Sequence, residues 1–284
     1  MIDKLVIIGV GLIGGSFALA LREAGLVREI VGVGRSLENL SAALGTYVID
    51  SSSDAAQAVP GADLVLLAVP VGQMGAMMAA IAPHLDSNTL LSDVGSTKQD
   101  VVELARQYLP GQLARFVPGH PIAGAESSGV KAARGDLFRE RKVVLTPLAE
   151  TDPAAQALLT SLWQACGANV SVMTPQQHDA LFAAVSHLPH VLAFALVDYI
   201  AAQDNATQLF DFAASGFRDF TRIAGSSPEM WRDICLANSD ALLQQIGGYE
   251  QELVKIKTLI EAGDGIGLAE LFGHARDARQ SYLA

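Results

Sequence analysis

Four polar segments interrupt an otherwise apolar chain, and each carries side chains able to move a proton or hold an anion. Asp93-Val94-Gly95-Ser96-Thr97-Lys98 and Gly119-His120-Pro121-Ile122-Ala123-Gly124 each follow a short apolar run. The third segment breaks a long apolar stretch with His178-Asp179 and with Ser186-His187-Leu188-Pro189-His190. A helix there stacks Asp179, Ala183, Ser186 and His190 on one face, because offsets of 4, 7 and 11 fit the 3.6-residue period, and turns His187 to an adjacent sector. Pro189 lacks an N–H, so the Val185 carbonyl loses its partner and a kink is expected beside two histidines. A lone histidine in an apolar helix is usually satisfied by a neighbour, but two with an aspartate and a proline point to a site. The fourth segment, Gly216-Phe217-Arg218-Asp219-Phe220-Thr221-Arg222, spaces two arginines four residues apart with an acid three before the second. On a helix, Asp219 orients the Arg222 guanidinium for two-pronged recognition of a carboxylate; the plain alternative is a surface ion pair of little energetic worth.

A different chemistry begins near the N-terminus. Gly9-Val10-Gly11-Leu12-Ile13-Gly14 directly follows an apolar run and precedes a good helix start. Gly9 permits a tight turn, Gly11 lets the backbone approach a pyrophosphate, and Gly14 allows close packing of helix on strand, while the helix start offers free N–H donors. Cofactor contacts are therefore expected at Gly9, Gly11, Leu12, Ile13 and Gly14. About 20 residues further on, folds of this type that prefer NAD usually place an acid for the ribose 2′-hydroxyl. This chain has Gly34-Arg35-Ser36 there. An acid would repel a 2′-phosphate, whereas Arg35 can bind one and Ser36 can donate a further hydrogen bond, so NADP is the expected cofactor and NAD the alternative. Ala68-Val69-Pro70 closes a later apolar run where the sheet edge would face the cofactor. Its proline would end the strand and Val69 would pack on the nucleotide, although core packing also explains these residues.

The elements that must position these groups fall into two halves. Apolar runs at 5–8, 30–33, 47–49, 64–69, 89–92, 115–117 and 143–145 lack alternation, as strands buried on both faces should, and alternate with Ala/Leu-rich helical stretches. A last strand is expected at 169–173 after a helix over 153–166. From Thr174 the strand signals stop. Thr174-Pro175-Gln176-Gln177 has the form of a capping box with proline at the first helical position, and further helices are expected over 207–214, 217–223, 229–262 with breaks, and 268–282. The expected fold is an α/β Rossmann-type dinucleotide-binding domain over 1–173, followed by an all-α domain over 174–284. The helical half carries more apolar surface than one short bundle can hide, so a second copy is the expected cover and the protein is expected to be a homodimer.

Composition narrows the partners. The chain has 284 residues, 19 basic against 30 acidic, and a net charge of −11 with half its residues apolar. Nucleic acid is excluded as a default partner, because displacing counterions needs clustered Lys and Arg and the longest dense basic stretch, Arg139 to Lys142, is interrupted by Glu140. The apolar stretch 180–202 carries His187, Pro189, His190 and Asp198, each costly in lipid, so it reads as a buried helix rather than a membrane span. Cys166 and Cys235 have no metal-site spacing and read as reduced thiols, and no export signal is visible, so a cytoplasmic location is expected.

Taken together, GVGLIGGS, DVGSTK, GHPIAG followed by Glu126, HD with SHLPH, and GFRDFTRIA with the later MWRDI resemble the prephenate and arogenate dehydrogenases of tyrosine biosynthesis over essentially the entire chain. The resemblance implies oxidative decarboxylation of a cyclohexadienol, prephenate or arogenate, with a helical dimerisation domain. It implies that His120 accepts the hydroxyl proton and that Ser96 hydrogen-bonds the same region. It further implies that Arg222, oriented by Asp219, holds a substrate carboxylate and that His190, with Asp179 and His187 nearby, lies by the substrate's side chain. Lys98 matches a family lysine and Glu126 an acid that pairs with the arginine in some members, and both are expected among the substrate-binding residues. The competing readings are a β-hydroxyacid or imine reductase, which tends to use a lysine or acid from the helical domain, and an NADP-sensing regulator without turnover, which needs no His120, Ser96 and Arg222 set.

Overall fold

The computed structural model describes residues 1–124, 127 and 129–282, which form two compact units, Met1–Asn238 and Ser239–Ala284. The first unit opens with β1 (Ile2–Ile8), α1 (Leu12–Glu23), β2 (Val27–Val33), α2 (Leu37–Gly45), β3 (Ser51–Ser52), α3 (Ala55–Ala58), β4 (Leu64–Leu67), α4 (Met74–Ile81), β5 (Leu90–Asp93), α5 (Gln99–Tyr108) and β6 (Phe116–Val117). These strands make a six-stranded parallel sheet in the order β3-β2-β1-β4-β5-β6. The chain leaves β1 in one direction for β2 and β3 and returns on its other side as β4, which creates a switch point at the C-terminal ends of β1 and β4.

Why these strands are uniformly apolar follows from their burial. Leu5 and Ile7 of β1 with Leu64 and Leu66 of β4 enter one core, together with Phe17, Phe138 and Trp163. Val6 and Ile8 with Val65 and Leu67 enter a second core on the opposite face, with Met74, Met78 and Phe116. Successive side chains point to opposite faces, so a strand covered on both sides needs an apolar residue at every position.

A second sheet continues from the first. β7 (Gly119–Pro121) pairs antiparallel with β8 (Lys142–Leu145), and β8 pairs in parallel with β9 (Asn169–Val172) beyond α6 (Pro153–Ala165). The sequence gives no strand signal for β7, because Gly119-His120-Pro121 has no apolar run; its pairing comes from β8. The expected strand at 47–49 is a correction. Tyr47 adopts φ 57 after α2, Val48 and Ile49 turn into the core as a loop, and pairing with β2 begins only at Ser51.

The capping box forms as expected at α7 (Pro175–Phe182): Thr174 Oγ1 accepts the Gln177 amide at 3.1 Å, and the Gln177 side chain accepts the Thr174 amide at 3.0 Å. A π-helical turn, Ala183–His187, joins α7 to α8 (Leu188–Ala201), which has Pro189 in its first turn. The missing proline N–H is thus absorbed by a widened turn and a new helix start. Then come α9 (Ala206–Asp211), α10 (Ser215–Thr221), a 3₁₀ turn Arg222–Gly225, and α11 (Pro228–Ala237). The run Pro175–Ala201 is long and apolar enough to cross a membrane by length and composition, yet its His178, Asp179 and His187 are fully buried within the first unit.

The second unit is a helical hairpin of α12 (Ser239–Glu261) and α13 (Gly265–Tyr282). Gly263 at φ 63 ends α12, and Asp264 Oδ1 accepts the Gly267 amide at 2.9 Å to start α13. Leu253, Val254, Ile260, Ile266 and Phe272 are exposed on it.

Candidate active site

The glycine loop lies at the switch point, between β1 and α1. Gly9 has φ +99, and a Cβ there would meet the Ala68 carbonyl oxygen at 2.4 Å, so the turn requires glycine and abuts the Ala68-Val69-Pro70 loop. A Cβ on Gly14 would meet the Gly9 oxygen at 2.6 Å and an Ile7 methyl at 2.7 Å, which is the close helix-on-strand packing expected of that position. A Cβ on Gly11 meets nothing within 4 Å, so this backbone faces open space. Gly11 caps α1 without a side chain, leaving the first-turn amides, Leu12 and Ile13 among them, for an anion. The cradle fits the pyrophosphate of a dinucleotide. Beyond it, Arg35 and Ser36 are exposed; Ser36 caps α2 by accepting the Asn39 amide at 3.1 Å, while Asn39 holds the Val10 carbonyl at 2.6 Å. β4 ends at Leu67 rather than at the expected Val69, so Pro70 follows the strand's end rather than causing it.

His120 stands on β7, just past the C-terminal ends of β5 and β6. The preceding residue is gripped on both sides: Asp93 Oδ1 accepts the Gly119 amide at 3.2 Å, and Lys98 Nζ donates to the Gly119 carbonyl at 2.9 Å. Lys98 and Asp93 form a fully buried ion pair. His120 Nδ1 lies 2.9 Å from His178 Nε2, and His178 Nδ1 lies 2.7 Å from Asp179 Oδ1. Asp179 also accepts the amides of Lys98 at 2.9 Å and Gln99 at 2.8 Å. The Phe182 ring packs on both imidazoles, at 5.0 Å from His120 and 4.5 Å from His178.

Electrostatics follow from this burial. Removal from water, then the neighbouring His178, Lys98 and His187, push the His120 pKa well below its ordinary 6.5, so the ring is neutral at pH 7. Burial also lowers His178, against the opposing pull of its bond to Asp179. Burial raises the Asp179 carboxyl, yet the hydrogen bonds from His178 and the amides of Gln99 and Lys98 together outweigh it and hold the pKa below the usual carboxylate value. Burial pushes His187 down to about 4, against the opposing pull of the Asp179 charge and of its hydrogen bond to the Ser96 backbone. Asn238 ties this corner together, donating to the Asp179 carbonyl at 2.9 Å and facing His187 Nδ1 at 3.1 Å.

His190 opens a second cluster. Its ring stacks on Trp231 with centroids 3.7 Å apart, and its Nδ1 lies 2.9 Å from the Ser186 carbonyl, so that nitrogen carries the proton. The 3₁₀ turn bearing Arg222 packs against α8, and burial followed by the charge of Arg222 lowers the His190 pKa. Asp219 is exposed on α10, one turn before Arg222. Glu126 lies outside the described residues.

Several expectations change in this light. Asp179 and His190 do not share a face, because the π turn adds a residue between them: Asp179 turns to α5 and His190 to Trp231. Lys98 has no exposed surface and its ammonium is engaged by Asp93 and Gly119, so it holds β7 in place rather than meeting a ligand. Asp179 and His187 are likewise fully enclosed, and they support the site from behind. The site residues that the sequence reading left out are His178, Asp93, Asn238 and Trp231. His178 and Asp93 sit inside quoted motifs, but only the pairing of β7 and the start of α5 shows what they touch.

A family model described as "Prephenate dehydrogenase, nucleotide-binding domain" matches residues 17–172, and one described as "Prephenate dehydrogenase, dimerization domain" matches 174–274. The chain belongs to the prephenate dehydrogenase family. Within it, the chain is 41% identical to a Bacillus subtilis prephenate dehydrogenase over 98% of its own length and 76% of that protein's. It is 37% identical to a Zymomonas mobilis cyclohexadienyl dehydrogenase over 97% and 94%. Among solved structures, an Aquifex aeolicus prephenate dehydrogenase in complex with hydroxyphenyl propionate and NAD+ superposes with a TM-score of 0.92 at 36% identity, covering 99% of this chain and 98% of that one. A Synechocystis arogenate dehydrogenase superposes at 0.83 with 31% identity, covering 98% and 99%. As a member of this family, the protein has a nucleotide-binding domain for a nicotinamide dinucleotide.

Proposed function

We propose that this protein oxidatively decarboxylates prephenate, arogenate or both in tyrosine biosynthesis, working in the cytoplasm as a homodimer with the helical segment from Thr174 as its substrate and dimerisation domain. The observation that carries the reading is His120, neutral and hydrogen-bonded, at the sheet edge that also carries the dinucleotide cradle. A nicotinamide dinucleotide held by the Gly9–Gly14 cradle would supply the acceptor for the hydride that leaves the ring carbon bearing the hydroxyl. As that hydride leaves, the hydroxyl becomes strongly acidic and His120 takes its proton. Loss of CO2 from the opposite ring position returns an electron pair to the ring, and the phenol oxygen takes the proton back, so the cycle neither gains nor loses one. Ser96 hydrogen-bonds the hydroxyl region, Arg222 holds a carboxylate, and His190, seated on Trp231, meets the side chain.

NADP is the proposed cofactor. The end of β2 offers Gly34, Arg35 and Ser36 where an acid would exclude a 2′-phosphate, and Lys131 lines the same surface hollow as Ser36. The Aquifex aeolicus relative was solved with NAD+, which makes the comparison of both cofactors the deciding one.

Steady-state assays of the purified protein with prephenate and arogenate, each with NAD and NADP, test the reading. Turnover of at least one substrate, with higher kcat/KM for NADP, is expected. No reduced nicotinamide in any of the four combinations would overturn it.

A further inference from the structure

We propose that Asp179 and His178 are positioning residues that lock His120 in the tautomer with its proton on Nδ1, leaving Nε2 as a bare acceptor for the substrate hydroxyl. The inference rests on the reading of His120 as proton acceptor, and it assigns to the relay what that reading leaves open, namely which nitrogen does the work.

The amides of Lys98 and Gln99 can only donate, and both point at Asp179, one to each oxygen, at 2.9 and 2.8 Å. A carboxylate so held is ionised and accepts only. His178 Nδ1, at 2.7 Å from the same group, must therefore carry a hydrogen. His178 is fully buried, which keeps it neutral with that single proton, so its Nε2 presents a lone pair. Facing that lone pair at 2.9 Å is His120 Nδ1, and two bare nitrogens do not sit at hydrogen-bond distance, so His120 carries its one proton there. Phe182 packs on both rings and Asn238 fixes the Asp179 backbone carbonyl, so neither imidazole is free to flip.

In the reaction, the substrate O–H bond breaks and a bond from hydrogen to Nε2 forms. The Nδ1–H of the His120 imidazolium goes on donating to His178 Nε2, and Asp179 meets the positive charge through His178, as an acid behind a histidine does in other hydrogen-bonded triads. When the phenol oxygen recovers the proton, Nε2 is bare again and no charge is left over. The other charged or titratable groups around the pair are Lys98, Asp93 and His187.

The tautomer can be read without substrate or cofactor. Two-bond proton–nitrogen spectra of the protein labelled with 15N-histidine, which has only six such residues, are expected to show His120 protonated at Nδ1 and bare at Nε2 at neutral pH, with His120→Asn providing the assignment. A proton on Nε2 overturns the proposal even if the enzyme turns over normally, whereas inactivity towards all cyclohexadienols overturns the functional reading and leaves the tautomer result intact. In kinetics, His178→Leu should lower kcat roughly 10- to 100-fold with substrate KM and cofactor Kd within about threefold, while His178→Gln, which keeps an acceptor for His120, should recover most of the loss. Equal impairment of both variants would mean that His178 only fills space, and would also overturn it.

Discussion

Lys98 and Asp93 meet as a fully buried ion pair whose two members also grip Gly119, the ammonium holding its carbonyl and the carboxylate its amide. The pair thereby sets the height of β7 and of His120 next to it. Breaking a buried pair from one side leaves an uncompensated charge, which costs about 3–5 kcal/mol, whereas replacing both partners is far milder. Lys98→Met is expected to lose that much in urea unfolding, and adding Asp93→Asn to recover a large part of it. An equal loss in the single and double variants would show that the pair's charges are not what matters.

His120→Asn keeps a polar side chain but removes the proton acceptor. The expected result is a kcat lower by roughly 10²- to 10⁴-fold with little change in KM. Burial and the nearby His178, Lys98 and His187 oppose its protonation, so the acid limb of kcat/KM in the unaltered enzyme should fall below pH 6.5. Near-normal turnover in the variant would remove His120 from proton transfer.

Local chemistry was legible in the sequence and tertiary pairing was not. Gly9 and Gly14 are demanded by backbone contacts within one strand–turn–helix unit, and Thr174 and Gln177 cap a helix with their immediate neighbours, so pattern alone finds them. β7 has no signal of its own because His120 and Gly119 pair through β8, more than twenty residues later. The face shared by Asp179 and His190 fails because a regular 3.6-residue period cannot anticipate a π turn. The motif alone does not show that Lys98 is a buried structural cation, because its partner Asp93, though only five residues away, meets it only once β5 and α5 are in place.

Arg222 packs by α8, and its charge reaches His190, while its guanidinium is the proposed seat of a substrate carboxylate. Its removal should weaken ground-state and transition-state binding alike. Arg222→Ala is therefore expected to raise KM at least 10-fold with a smaller change in kcat, since a charge-assisted hydrogen bond contributes about 1.5–3 kcal/mol. A KM within twofold of the original would place the carboxylate elsewhere.

Arg35 is exposed at the end of β2, followed by the helix cap Ser36. Exchanging its charge should act on the 2′-phosphate and little else, because no core contact depends on it. Arg35→Asp is expected to lower kcat/KM for NADP at least 10-fold and to leave that for NAD within about threefold. An unchanged ratio between the cofactors would sink the NADP assignment.

His187 is enclosed behind Ser96, with its pKa pushed by burial from 6.5 to about 4. In the unfolded chain the ring recovers its ordinary affinity for protons, so as pH falls below 6.5 the unfolded state binds a proton first. The stabilisation is complete above pH 6.5, declines as pH drops towards 4, and amounts to about 3 kcal/mol across that interval at 1.36 kcal/mol per pKa unit. Urea unfolding at pH 7 and at pH 4.5 should show His187→Gln losing roughly 2–3 kcal/mol less than the unaltered protein over the same drop. The glutamine can still accept the Asn238 amide, so the comparison isolates titration from packing. Parallel losses in the two proteins would mean that His187 is protonated in the folded state at the lower pH, and that its contacts with Ser96 and Asn238 do not depend on a neutral ring.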